Sequence, residues 1–265
     1  MSSTLLRKKN GLTLVELLIA LVLSSLLIAT LYQVLVNQQK IYSAQDQVAD
    51  MQQNVRIAVG QMTREIRMAG YGGNMLSIFG NVNGFADIIT PAENSITIIF
   101  ADQVGVLKET APKGVNQLKT TNASIFNADK KRYFCLNGLS NYSIQSIIRD
   151  TITLTTSLSE DHVIDEPVYL IKAITYSLGL SGGKPALRRN ENTGGGAQPV
   201  AENIESLQFK YFDENGNVTS NPPNIRMIKV AVTAKTGMRD PDYKGGDGYR
   251  RRILSSNIKL RNMGL

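Results

Sequence analysis

Cysteine, histidine and tryptophan are almost missing from this chain: Cys135 is the one cysteine, His162 the one histidine, and none of the 265 residues is tryptophan. A single thiol excludes an intramolecular disulfide framework. Zinc needs several Cys or His ligands, and one of each does not supply them. A nucleophilic triad would have to use His162, which sits beside Glu160 and Asp161 in a turn-like stretch and is expected on the surface. Proline is also absent before Pro91, and Gly60 is the only glycine from Leu12 to Ala69. Nothing there stops a helix.

What is present divides unevenly. Hydrophobic residues are 42% and charged residues 19%, a balance that excludes disorder of the whole chain. The length suffices for one sizeable core, so the fold can be stable without disulfides, and Cys135 is expected to pack as a small buried hydrophobe. The formal charge is +7, but Arg7, Lys8 and Lys9 lie together near the start. Without them, 26 of the 29 basic side chains face 22 acids, a net +4. Much of the basicity therefore concerns topology, not a nucleic-acid footprint.

From Leu12 to Val36 the only ionisable side chains are Glu16 and Tyr32. As a helix, Leu14 to Val36 would extend roughly 35 Å, enough for a hydrocarbon core of about 30 Å. The basic residues ahead of it favour a cytoplasmic N-terminus and an exported remainder. A secretory signal would be shorter and end in a small-residue cleavage site. A plain signal anchor fits the length but not Glu16, because an intramembrane acid costs about 2.5–3.5 kcal/mol. Either Glu16 has a partner, or it lies close enough to the helix start to reach headgroups and benefit from the dipole.

Arg7-Lys8-Lys9, Gly11, an apolar residue, Thr13-Leu14-Val15-Glu16 and an unbroken apolar run together resemble the class III signal of type IV prepilins. The resemblance implies cleavage between Gly11 and Leu12 by prepilin peptidase, followed by N-methylation of Leu12. It also implies that Glu16 pairs with the freed amine of a neighbouring subunit. Leu12 stands where the family more often has phenylalanine. The implied organisation is a leader over 1–11, a transmembrane assembly segment over 12–36, an amphipathic helical half over 37–69 and an exported β-rich head over 70–265.

Residue spacing supports the long helix independently. Ile41, Ala44, Val48, Met51, Val55, Ala58, Met62, Ile66 and Ala69 recur every three or four positions, and Gly70-Tyr71-Gly72-Gly73 supplies a stop. The spacing predicts one helix over about 13–69. Beyond it the pattern becomes strand-like at Ser95–Phe100, Tyr142–Ile148, Thr151–Thr155, Val168–Leu178, Ser206–Phe212, Arg226–Lys235 and Ile253–Arg261. Arg149-Asp150 reads as a hairpin turn, and Gly179 to Gly196 as a glycine-rich loop. The expected fold is α+β, the helix packed on an antiparallel sheet.

In the last third, Ala201–Asp213, then Arg226–Val232, then Ile258–Asn262 resemble the PilW-like minor pilins and, more loosely, the J-type pseudopilins of type II secretion. The resemblance implies a minor pilin of the inner membrane, single-pass with a periplasmic head, that primes or joins a pilus. Its partners would be other minor pilins, the major pilin and the assembly platform. A pseudopilin is the alternative, and a membrane-tethered periplasmic enzyme or adhesin a third. No catalytic set, cofactor or metal is expected. Asp213–Asn217, and Asp240, Asp242 and Asp247, offer calcium-type oxygens but read as turns. Arg250-Arg251-Arg252, with Lys244 and Tyr249, reads as a solvated edge, and nucleic acid is not an expected partner.

Overall fold

A computed structural model describes residues 13–240 and 242–263. The leader residues Arg7, Lys8 and Lys9 and the cleavage pair Gly11 and Leu12 lie outside the described residues. The chain divides into two units, one ending at Ala49 and the other beginning at Asp50. Helix α1, Leu14–Met68, contributes to both.

In the first unit, residues 13–35 are all exposed although most are apolar. Ser25 and Thr30 turn their hydroxyls back onto the carbonyls of Val22 and Leu27, at 2.7 and 2.8 Å. Those polar groups are satisfied within the helix, as an apolar surrounding requires.

In the second unit, Met51, Val55, Ala58, Val59, Met62 and Ile66 of α1 are buried, three or four residues apart. The expected stripe thus begins to be covered at Met51, whereas Ile41 remains exposed. The helix ends at Gly70, whose φ of +81° a residue with a Cβ adopts only with strain. Gly70 N–H donates to the Ile99 carbonyl at 2.9 Å, tying the helix end to the sheet.

Short α2 (Met75–Phe79) follows, then twelve strands. Nine form one sheet: β1 (Ile89–Pro91), β2 (Ser95–Val106), β3 (Gln117–Lys119), β4 (Tyr133–Leu136), β5 (Ser140–Ile148), β6 (Thr151–Leu154), β7 (Pro167–Ser181), β8 (Lys184–Asn190) and β9 (Ala197–Glu202). The other three, β10 (Ile204–Phe212), β11 (Met227–Lys235) and β12 (Arg251–Lys259), form a separate antiparallel sheet. Strand β7 organises the larger one. It pairs with β2 along one side, and with β4 and then β8 along the other.

Both faces of β4 and β7 are buried. Phe134, Leu136, Val168 and Leu170 enter one core with Ile144, Ile152 and Leu154. Tyr133, Cys135, Ile171 and Ala173 enter a second with Met75, Ile99 and Ala101. Doubly buried strands read as continuous apolar runs, which is why neither shows clean alternation. In the smaller sheet, Leu207, Phe209, Tyr211, Ile228, Val230, Val232, Ala234 and Ile258 are buried while their neighbours face outward. The α+β architecture expected from the sequence is therefore present.

The expected loop from Gly179 to Gly196 is corrected. Strand β7 continues to Ser181, Gly182-Gly183 make a two-residue turn with φ of 56° and 79°, and β8 returns from Lys184. Glycine pairs with both φ positive suit the twist of a tight hairpin. Only 191–196 is a loop between strands.

A polar clamp joins the helix to the sheet within the second unit. The Glu65 carboxylate accepts from Tyr176 Oη at 2.7 Å and from Arg189 Nε at 3.1 Å. Arg189 also reaches Glu191 at 2.9 Å. Burial lowers the Arg189 guanidinium's affinity for its proton, but hydrogen bonds to Glu65 and Glu191 more than offset this and hold it above its ordinary value.

Candidate functional site

Thr13 and Glu16 begin the described chain, and their side chains satisfy each other's backbone. Glu16 N–H donates to Thr13 Oγ1 at 3.2 Å, and Thr13 N–H donates to Glu16 Oε2 at 2.9 Å. The Thr13 hydroxyl completes the ring by donating to the same Oε2 at 3.0 Å. This is a capping box: Thr13 is the N-cap, Glu16 the third helical residue, and two otherwise orphaned N–H groups find acceptors. Its Thr-x-x-Glu spacing before an apolar run was legible in the sequence, but the segment drew notice there as a processing motif and not as a cap.

The geometry has a chemical consequence. Both contacts from Thr13 fall on Oε2, and among the described residues no donor engages Oε1. The box therefore fixes the carboxylate's orientation and leaves one oxygen with acceptor capacity. A carboxylate at a helix N-terminus also benefits from the helix dipole. Behind it, α1 is long and apolar enough to cross a membrane.

The remaining sequence candidates fall elsewhere. His162 is buried, only 1% exposed, which corrects the expectation of a surface residue. It is drawn in because its backbone forms a bridge with Ala111 and its Nδ1 lies 3.0 Å from Glu166 Oε1. Cys135 is fully buried as expected, and burial pushes its thiol up to about 12.

Asp213 Oδ1 accepts from the backbone N–H of Asn215 and Asn217, at 2.9 and 2.8 Å, an ordinary turn arrangement. Asp240 takes both Nε and Nη2 of Arg250. Arg251 is held by Glu205 and Asp247 together. The Asp213, Asp240 and Asp247 carboxylates are thus engaged in turns or by arginines, and the described residues hold no group of three His, Cys, Asp or Glu side chains placed for a metal. Two of the three consecutive arginines are neutralised inside the chain; Arg252 has no ion pair among the described residues.

Residues 6–32 match the family described as the prokaryotic N-terminal methylation motif. That span contains Arg7, Lys8, Lys9, Gly11, Leu12 and the Thr13–Glu16 box. No curated protein and no solved structure matches the chain. The motif supports a type IV pilin-like or pseudopilin protein, one that prepilin peptidase processes and that a single N-terminal apolar helix anchors in a membrane.

Proposed function

We propose that this chain, pilin-like by its methylation motif, is a minor type IV pilin that primes or joins the filament and performs no catalysis. The observation that carries the reading is the Thr13–Glu16 box, lying inside the motif at the start of an uncovered apolar helix. Removal of residues 1–11 would make Leu12 the terminus and create an amine there. The Thr13 N–H remains an amide after that cut, so the box survives processing. Glu16 Oε2 then stays with Thr13 while Oε1 accepts the Leu12 amine of a neighbouring subunit. A buried acid and a buried amine are each costly alone and offset one another when they meet. Their pairing would set the axial register, and the apolar side chains around them would supply non-directional packing. The head's surfaces would select partners among other minor pilins, the major pilin and the assembly platform, on the periplasmic side of the inner membrane.

Two measurements test this. Mass spectrometry of the protein from cells should find a methylated Leu12 terminus; an intact Met1 end would refute processing. Deletion of the gene should abolish piliation and twitching. Loss of exoprotein release with pili intact would instead assign the chain to a secretion pseudopilus.

A further inference from the structure

A sheet edge is a row of N–H and C=O groups without strand partners, and proteins protect such rows by shortening, covering or breaking them. The larger sheet follows that rule. Its border strands β1 and β3 are three residues each, and β9 carries Pro199. In the smaller sheet, the free side of β10 is occupied. The Phe209 N–H donates to the Glu93 carbonyl at 2.8 Å, and the Tyr211 carbonyl accepts from the Thr219 N–H at 3.0 Å. Strand β12 departs from the rule. It pairs with β11 over nine consecutive residues without a register shift, and it contains neither proline nor glycine. Its other side makes no backbone hydrogen bond among the described residues.

The register identifies the free groups. The Thr236 N–H donates to the Arg250 carbonyl at 2.9 Å and the Leu260 N–H to the Arg226 carbonyl at 3.0 Å, so residues 250 and 260 face β11. In an antiparallel ladder, every second residue exchanges both of its bonds with the same neighbouring strand. The even-numbered residues of β12 therefore turn their backbone groups to β11. Ile253, Ser255 and Asn257 direct theirs outward, at the centre of the free edge.

Charge and side-chain pattern narrow the occupant. Arg251 is held by Glu205 and Asp247, whereas Arg252 and Lys259 are exposed and have no ion pair among the described residues. Between those two cations the strand carries no charge; Ile253 is exposed and Leu254 half-buried. A second copy in full antiparallel overlap, with Ser255 on the two-fold axis, would set each Arg251 against the other chain's Lys259. Like charges directly opposite one another destabilise a strand pair. A segment that ends in carboxylates would instead neutralise both unpaired cations. We infer that β12 accepts an extended segment of a different protein by antiparallel strand addition. Main-chain bonds to Ile253, Ser255 and Asn257 hold it, an apolar side chain packs beside Leu254, and an acid stands opposite each of Arg252 and Lys259. The inference concerns the head alone and is independent of the pilin reading.

The probe is a labelled peptide, Glu-Val-Thr-Val-Thr-Val-Thr-Glu with blocked ends, titrated by anisotropy with the full chain in neutral detergent. Antiparallel addition sets its first residue opposite Lys259 and its last opposite Arg252. Ser255→Pro removes one outward N–H and leaves the β11 ladder intact, as proline on an edge strand does. It should weaken binding about tenfold or more, the cost of one unmade hydrogen bond together with the obstructing ring. Ser255→Thr should bind as the parent does. Lysine in place of both peptide glutamates should weaken binding several-fold at low salt. Should Ser255→Pro lower the melting temperature, the peptide carries the test instead. N-methylation of its threonines, whose amides face β12, must abolish binding, and N-methylation of its valines must not. No binding of the peptide, or equal binding by Ser255→Pro and its parent, overturns the proposal. Self-association of the chain that Ser255→Pro abolishes would make a second copy the occupant and overturn the foreign strand.

Discussion

Helix α1 carries apolar side chains along its whole length, yet its two ends meet opposite surroundings. Leu14 is 77% exposed and Leu31 55%, whereas Ala58, Met62 and Ile66 are 0% exposed. Composition differs, since residues 13–35 carry Glu16 as their one charge whereas 50–68 carry Asp50, Arg56, Arg64, Glu65 and Arg67 around an apolar stripe. The cover differs with it. From Met51 the stripe is matched by the inward side chains of the head, while residues 13–35 are exposed among the described residues. The energetics of the later stretch therefore belong to folding. Those of the earlier stretch belong to whatever surrounds the chain, lipid or another subunit.

The largest expected effect follows from that separation. Glu16→Ala should abolish incorporation into filaments while leaving the melting of the head and membrane insertion unchanged. Co-pelleting with sheared filaments reads the first, and circular dichroism of the full chain in detergent reads the second. Normal incorporation would remove Glu16 from the assembly role; a large fall in melting temperature would erase the distinction between the two stretches.

Met62→Ala should do the converse. Its side chain is fully buried, and deleting a buried methionine costs about 2–5 kcal/mol through lost transfer energy and the cavity left behind. Urea denaturation should show this loss, with membrane insertion unaffected. A change below about 0.5 kcal/mol, the size of an ordinary surface substitution, would mean that the buried stripe is not holding the helix.

These two residues also show how much was legible beforehand. Periodicity without proline predicts a helix over about 13–69, and the helix spans Leu14–Met68. Strands β2, β5, β6, β7, β10, β11 and β12 were visible because each alternates or is rich in β-branched residues bounded by turns. Strand β4 was missed because Tyr133-Phe134-Cys135-Leu136 is short and buried on both faces, so its period is hidden. Strand β8 is hidden because Gly179, Gly182-Gly183 and Gly194-Gly195-Gly196 on either side of it make 179–196 look like one glycine-rich loop. The charge on Arg189 is met by nearby Glu191 and by Glu65, 124 residues earlier in the chain. His162 misled for a related reason: its polar neighbours suggested solvent, and its burial depends on a distant bridge to Ala111. The motif around Gly11 and Glu16 was local and fully legible, whereas the oxygen that Thr13 occupies requires geometry.

Glu65→Ala sharpens the comparison with a smaller effect. Glu65 and Arg189 are 17% and 16% exposed, so removing the acid leaves a guanidinium in a poorly hydrated place. The expected cost is about 2–3 kcal/mol, below the range for a wholly buried pair. Glu191 retains one contact to Arg189, which limits the loss. Joint Glu65→Ala and Arg189→Leu should recover part of the stability, because the unpaired charge is then gone. Additive losses in that double variant would show that the pair is not coupled.

The smallest effect is a pH dependence confined to the β11–β12 loop and the adjoining Glu205 end of β10. Hydrogen bonding to Arg251 is the main cause holding the Asp247 and Glu205 carboxyls below their ordinary values, and Arg250 does the same for Asp240. Folded-state values below the unfolded ones mean that the contribution is fully present above the unfolded carboxylate range of about 4, and is lost as pH falls through the folded values. Near pH 3 the amides of Thr236 and Arg250, which bond to the Arg250 carbonyl and to Thr236 Oγ1, should lose exchange protection relative to pH 6. Those of β4 and β7, bonded within the larger sheet, should keep it. Arg251→Gln should blunt the change by removing the cation that Asp247 and Glu205 share. Equal deprotection of both regions would show general acid unfolding and not the release of a local ionic clamp.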